Sequence, residues 1–220
     1  MKFGKAFNYI FKDPDWFKKI IGPALCALIP VIGQFILMGY LLKVTKNVIG
    51  GDEDSPLPQL DFGADLGKGF MGFLITLIYM LPVSISSGIA GGMSSVMANA
   101  DETMLIVLGI LVACLGIVAL IISLLISLIM PIAIANYAAT DEFGAAFRFK
   151  ELFGMLKSSF VSWLLVLVGG LLGGLIAPLG LIACGIGVLL TSAYAGLVSY
   201  HLIGQAYNVS KAPKLGETEV

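Results

Sequence analysis

Three stretches of this chain, residues 69–100, 103–140 and 158–210, contain no Asp, Glu, Lys or Arg. The hydrocarbon core of a bilayer is about 30 Å thick, so a helix needs about 20 apolar residues to cross it. Uncharged runs of this length are membrane-spanning material, because a soluble domain places charge on its exposed faces. Charged residues make up 12% of the chain and hydrophobic residues 58%, against about 25% charged in a soluble domain. The mean hydropathy is +0.98. These values predict an all-α membrane protein, a polytopic bundle forming one integral membrane domain over residues 1–220. A net charge of -1 with scattered basic residues excludes a nucleic-acid footprint.

Residues 3–12 are predicted as a short amphipathic interfacial helix, with Phe3, Phe7, Ile10 and Phe11 on one arc and Lys2, Lys5 and Lys12 opposite. That face suits anionic lipid, or equally packing on the protein's own loops. Asp13-Pro14-Asp15 interrupts before any long apolar run, so no removable signal peptide is expected. Residues 50–67 form an acidic loop; its Asp52-Glu53-Asp54 run reads as solvated charge, because the full calcium-loop pattern is absent. Spans are expected at 68–98, 103–138, 160–183 and 185–208, with kinks at Pro82 and Pro131 and a second interfacial helix at 143–157.

Residues 17–49 read either as a single span or as a hairpin hinged at Pro30 and Gly33. Charge favours the hairpin. Lys and Arg cluster at 2–19, 43–46, 68, 148–157 and 211–214, and none lies near Asp101 or in the turn at 178–187. A hairpin puts every basic cluster on one face, which the positive-inside rule makes cytoplasmic, with both termini. A second hairpin is expected between the last two spans, hinged at Cys184 and Gly187. Ile32-Gly33, Tyr40 and Val44 recur at the same step as Ile186-Gly187, Tyr194 and Val198, which reads either as a weak parallel repeat or as chance likeness between Gly-rich apolar segments.

Several motifs occur in order along the chain: Asp13-Pro14-Asp15-Trp16 with Lys18-Lys19, Ile29-Pro30-Val31-Ile32-Gly33, Gly39-Tyr40-Leu41, and Asn47-Val48 before Gly51. Leu57-Pro58, Gly144-Ala145-Ala146-Phe147, Cys184-Gly185-Ile186-Gly187 and the run from His201 to Tyr207 follow. Together they resemble a prokaryotic multi-pass membrane family, frequent in archaea, catalogued as domain of unknown function 4013. The resemblance covers essentially the whole chain and implies an integral protein of the cell membrane. It implies no catalytic or binding residue.

The chemistry expected is sparse. The spans offer no acid pair, no Walker or GxSxG motif and no histidine set for zinc. Cys26, Cys114 and Cys184 are too far apart for a CxxC pair. No catalytic residue, metal or cofactor is expected, and the protein is read as no enzyme. Two kinds of residue stand out. His201 and Gln205 share a helix face, and with Gln34 and Asn136 they are the candidate polar cluster or ligand site. Gly169, Gly170, Gly173 and Gly174 hold two overlapping GxxxG pairs, and Gly109 and Gly116 head a second small-residue stripe; both are candidate helix-packing faces. The expected role is to organise or support other membrane components, with membrane lipid, a second copy or other membrane proteins as partners. Transport of a small or uncharged solute is the alternative.

Overall fold

The computed structural model describes residues 1–54, 57–98, 100–183 and 186–212. Cys184, one of the expected hinge residues, lies outside them. Among the described residues the chain is helical without strands, and four helices are long and apolar enough to cross a membrane. It is an all-α polytopic bundle.

The first element is short. Helix α1 (Lys5–Asn8) passes into a 3-10 turn over Tyr9–Lys12. Ala6, Tyr9 and Ile10 are fully buried, while Phe11 is exposed. Residues 3–12 are thus packed largely on the protein itself. Helix α2 (Trp16–Cys26) and helix α3 (Ile32–Ile49) follow, joined by a tight turn. Gly33 is required there, because a Cβ at this position would stand 1.7 Å from the Cys26 carbonyl oxygen. The Ile32 amide donates to the Pro30 carbonyl at 2.7 Å around Val31, whose φ is 66°. This γ-turn is the rarer, strained hand, on a β-branched residue that disfavours it. At 11 residues, α2 rises about 16 Å, half the depth of the lipid core. The chain therefore turns back within residues 17–49, through unequal arms.

Helix α4 (Phe62–Met97) begins within the stretch read as acidic loop. The cause is Asp61, whose side chain accepts the Ala64 amide at 3.1 Å and caps the helix. Helix α5 (Glu102–Thr140) is capped in the same way by Asp101, which accepts the Met104 amide at 2.8 Å. Both helices run unbroken through their prolines, Pro82 and Pro131. Residues 143–157 divide into a 3-10 turn (Phe143–Phe147) and helix α6 (Phe149–Ser158). Helix α7 (Phe160–Ile176) gives way to a 3-10 segment (Ala177–Ala183) before helix α8 (Ile186–Lys211). Gly187 lies in the first turn of α8, against Gly180 of that segment.

The centre of the fold is α3. A Cβ at Gly39 would stand 1.9 Å from the Asp65 carbonyl oxygen of α4, and one at Gly69 1.7 Å from that of Phe35. The two backbones are in contact. On another side α3 and α8 run parallel, with Leu41 against Gly196 and Val48 against Gly204. The Thr45 hydroxyl donates to the Tyr200 carbonyl at 2.8 Å. The two segments of the weak repeat thus lie side by side in the same direction.

The glycine stripes named from the sequence are only partly used. Gly169 meets Leu202 and Gly173 meets Ala195, so one GxxxG pair packs α7 on α8. Gly170, Gly174 and Gly116 have open space where a Cβ would be, and Gly109 has only the Met97 methyl at 4.0 Å. These four are not packing residues within the chain, because their faces of α5 and α7 point away from the bundle.

Gly39→Ala is expected to force α3 and α4 apart and cost about 3 kcal/mol, the upper range for overpacking. Gly174→Ala should change stability by less than about 0.5 kcal/mol. Unfolding of both variants in the same detergent micelle measures the contrast.

Candidate functional site

The polar side chains gather at one end of the bundle, where α8 meets the N-terminal segment and the acidic loop. His201 is fully buried, and its ring stacks on that of Tyr9 with centroids 4.2 Å apart. Gln205, one turn on, is also buried. Its Nε2 donates to His201 Nδ1 at 3.0 Å and to the Lys2 carbonyl at 3.3 Å, while its Oε1 accepts the Lys2 amide at 2.7 Å. With Nδ1 as an acceptor, the neutral ring carries its proton on Nε2, which donates to the Glu53 carbonyl at 3.0 Å. Both donors of Gln205 and both ring nitrogens are engaged, so the network is closed. Tyr9 and Tyr194 extend it by donating to the carbonyls of Leu197 and Phe7.

The other two members of the expected cluster lie elsewhere. Gln34 sits at the turn of the α2–α3 hairpin and donates to the Ala27 carbonyl at 3.4 Å. Asn136 is buried in α5 and donates to the Ala145 carbonyl at 2.9 Å. Residue type suggested a common site, but Gln34 belongs to the opposite end of α3, and Asn136 closes the turn after its own helix. His201 and Gln205 form a structural lock, with no free polar atom aimed at a ligand.

Ion pairs bind the acidic loop and the helix ends around this lock. Lys5 reaches both Glu53 and Asp54 at 3.1 Å, and Lys12 reaches Asp54 at 3.1 Å. Hydrogen bonds from Lys12 and Lys5 hold the Asp54 carboxyl below its usual range. Asp141, in the left-handed position that ends α5, bridges Lys46 of α3 and Lys68 of α4. Although burial opposes it, hydrogen bonding to these two lysines keeps the Asp141 pKa low.

Two buried carboxylates have lysine partners that the sequence did not indicate. Asp65 is fully buried, yet its Oδ1 lies 2.7 Å from Lys43 Nζ and its Oδ2 accepts the Asp61 amide at 2.8 Å. Asp13 is 3% exposed and pairs with Lys19 at 2.6 Å. The spacing of Asp61 and Asp65 ahead of an uncharged run was the available signal for Asp65. Each acid faces a lysine, the arrangement of a structural pair. Among the described residues no group of three or more His, Cys, Asp or Glu side chains is placed to hold a metal ion.

Two cavities between helices are hydrocarbon-lined. One of about 550 Å³ lies beside α3, among Phe35, Met38, Leu41, Phe73 and Tyr200, with Gln34 at its edge. Another of about 300 Å³ lies between α4 and α5.

The family described as a protein of unknown function, DUF4013, matches the chain over residues 24–186. The chain belongs to this family. No curated protein matches it, and no solved structure does. The DUF4013 match runs from the last turn of α2 to the first residue of α8. The buried Asp65 and its partner Lys43 fall inside it. Tyr9, His201 and Gln205 fall outside, so the lock joins two flanks of the matched region.

Replacing Gln205 with Leu should leave the Lys2 amide and His201 Nδ1 unpaired, at a cost of about 2 kcal/mol, while the Lys2 carbonyl keeps the Lys5 amide at 3.1 Å. Faster hydrogen exchange over residues 2–12 would report it. Acid should loosen the same segment from the loop. The folded pKa of Asp54 lies below the ordinary 3.8, so its contribution is full above that value. It is lost as the pH falls through the lower folded value. Exchange at residues 5–12 is expected to rise only below about pH 4.

Proposed function

We propose that this chain is a non-enzymatic integral protein of the cell membrane that organises or supports other membrane components, using the α4–α5 arm as its lateral contact. The arm is the observation that carries the reading. The buried residues of α4 end at Tyr79 and those of α5 begin at Ile126. Among the described residues between them, none is buried. A long apolar hairpin thus stands clear of the bundle. On α4 it carries Gly88, Gly91 and Gly92, each with open space where a Cβ would be. Helices in lipid associate through close packing of small residues, so such a surface suits a second copy or another membrane protein.

The parallel course of α3 and α8 lends some support to the alternative, movement of a small uncharged solute. The hydrocarbon lining of the cavities beside α3 and between α4 and α5 weighs against it. The basic clusters argue for cytoplasmic termini by the positive-inside rule.

Cys114 offers a direct test, since it is an exposed thiol on the arm. With Cys26 and Cys184 replaced by Ser, mild oxidation of native membranes should trap a dimer through Cys114, or a thiol crosslinker should join it to another membrane protein. A chain that yields neither product contradicts the reading. Orientation is tested separately, by an impermeant thiol reagent on intact cells. Asp101→Cys should be labelled directly, and Asp54→Cys only after permeabilisation.

A further inference from the structure

The cavity between α4 and α5 opens beside α6, and the two surfaces are continuous. Its walls are Tyr79 and Pro82 of α4, Ile122 and Ile126 of α5, and Phe147 and Phe149. Tyr79 stacks on Phe147 with centroids 5.6 Å apart and an angle of 10°, and its hydroxyl donates to the Ala146 carbonyl at 2.7 Å. The one polar atom on the tyrosine is thereby satisfied. The groove holds about 300 Å³ and offers hydrocarbon to whatever enters.

At its rim, Phe149 starts α6 and is 51% exposed. At 100° per residue, Phe149, Phe153, Lys157 and Lys150 fall within one arc of about 100°. Leu152 and Met155 are buried in the core on the other side. Neither Lys150 nor Lys157 has an ion-pair or hydrogen-bond partner among the described residues. The neighbouring basic residues differ in this respect: Arg148 is held by Glu142 and Glu151, and Lys211 by Glu151. Two unpaired cations and an exposed aromatic pair therefore share the face of α6 that leads away from the groove at Phe149.

We infer that this is a binding site for an anionic phospholipid of the surrounding bilayer, with one acyl chain in the groove and its phosphate on Lys150 and Lys157. Charge complementarity selects the occupant. An aromatic and basic helix face suits an anionic interface, and each lysine near such a surface favours anionic lipid by about fivefold.

The test uses the full chain, purified in detergent, delipidated, and offered equal phosphatidylglycerol and phosphatidylcholine of the same chain length. Bound lipid is counted by native mass spectrometry. The wild type should retain phosphatidylglycerol preferentially, and the double variant Lys150→Gln/Lys157→Gln should lose that preference. Leu125→Trp, from a half-exposed wall position, should reduce retention of both lipids alike. The lysine pair lies on an exposed face, so its result stands even if the tryptophan variant fails to fold. A wild type with no preference, or a preference that survives the lysine double variant, means annular lipid only and overturns the site.

Discussion

Backbone contact along α3 is the constraint on which the rest of the fold depends. Lipid tails are as apolar as leucine, so helices gain nothing from hiding side chains from lipid and must gain from close packing. Gly39 and Gly69 bring α3 and α4 together until a methyl group would collide with a carbonyl. Gly196 and Gly204 let α8 approach the neighbouring face. Because α4 begins so near α3, Asp65 is carried into a site with no solvent, and Lys43 must follow it. The buried ion pair is thus a consequence of the glycine contact. Removing either partner would strand a charge, which costs far more than the pair itself contributes.

The polar end follows from the same geometry. Helices α3 and α8 descend in parallel and deliver Thr45, His201, Gln205 and Asn208 to one level. Asn208 donates to the Val48 carbonyl at 2.9 Å, tying the two helix ends. The N-terminal segment closes this end, since Gln205 holds both the amide and the carbonyl of Lys2. A segment that reads equally as lipid-facing or as packed on the protein is drawn inward because Phe11 finds Tyr194 there and Tyr9 finds His201. Its lysines find the acidic loop.

The sequence made the spans, the turn after α2 and the crowding of charge at one end legible, because these follow from run length, proline, glycine and lysine. It did not reveal which glycines face inward. Gly169 and Gly170 are adjacent, yet only Gly169 meets another helix, and a GxxxG pattern is silent about rotation around the helix axis. The burial of Asp65 was hidden for a related reason: its depth depends on Gly39, far away in the chain. His201 and Gln205 were recognisable as partners because i and i+4 is a local relation. Gln34 and Asn136 required knowledge of which helix ends lie together.

The arm raises a problem of length that a bilayer of ordinary thickness does not solve. At 36 and 39 residues, α4 and α5 extend about 54 and 58 Å, against a hydrocarbon core of about 30 Å. Tilts reach about 40°, which leaves both helices longer than the core. The two differ in what their far thirds tolerate. On α4, Ser86, Ser94 and Ser95 donate back to carbonyls of their own helix, of Pro82, Ala90 and Gly91. These side chains are at home at the headgroup boundary. On α5 the same level presents Leu105, Ile106, Val107, Ile110 and Leu111, all exposed. Nothing in the described bundle covers them, and water would be a poor neighbour. A cover from the membrane itself, by thickened lipid or by the helix of another protein, is the arrangement that relieves the mismatch. A second helix would do so at the small-residue face, where close approach is open.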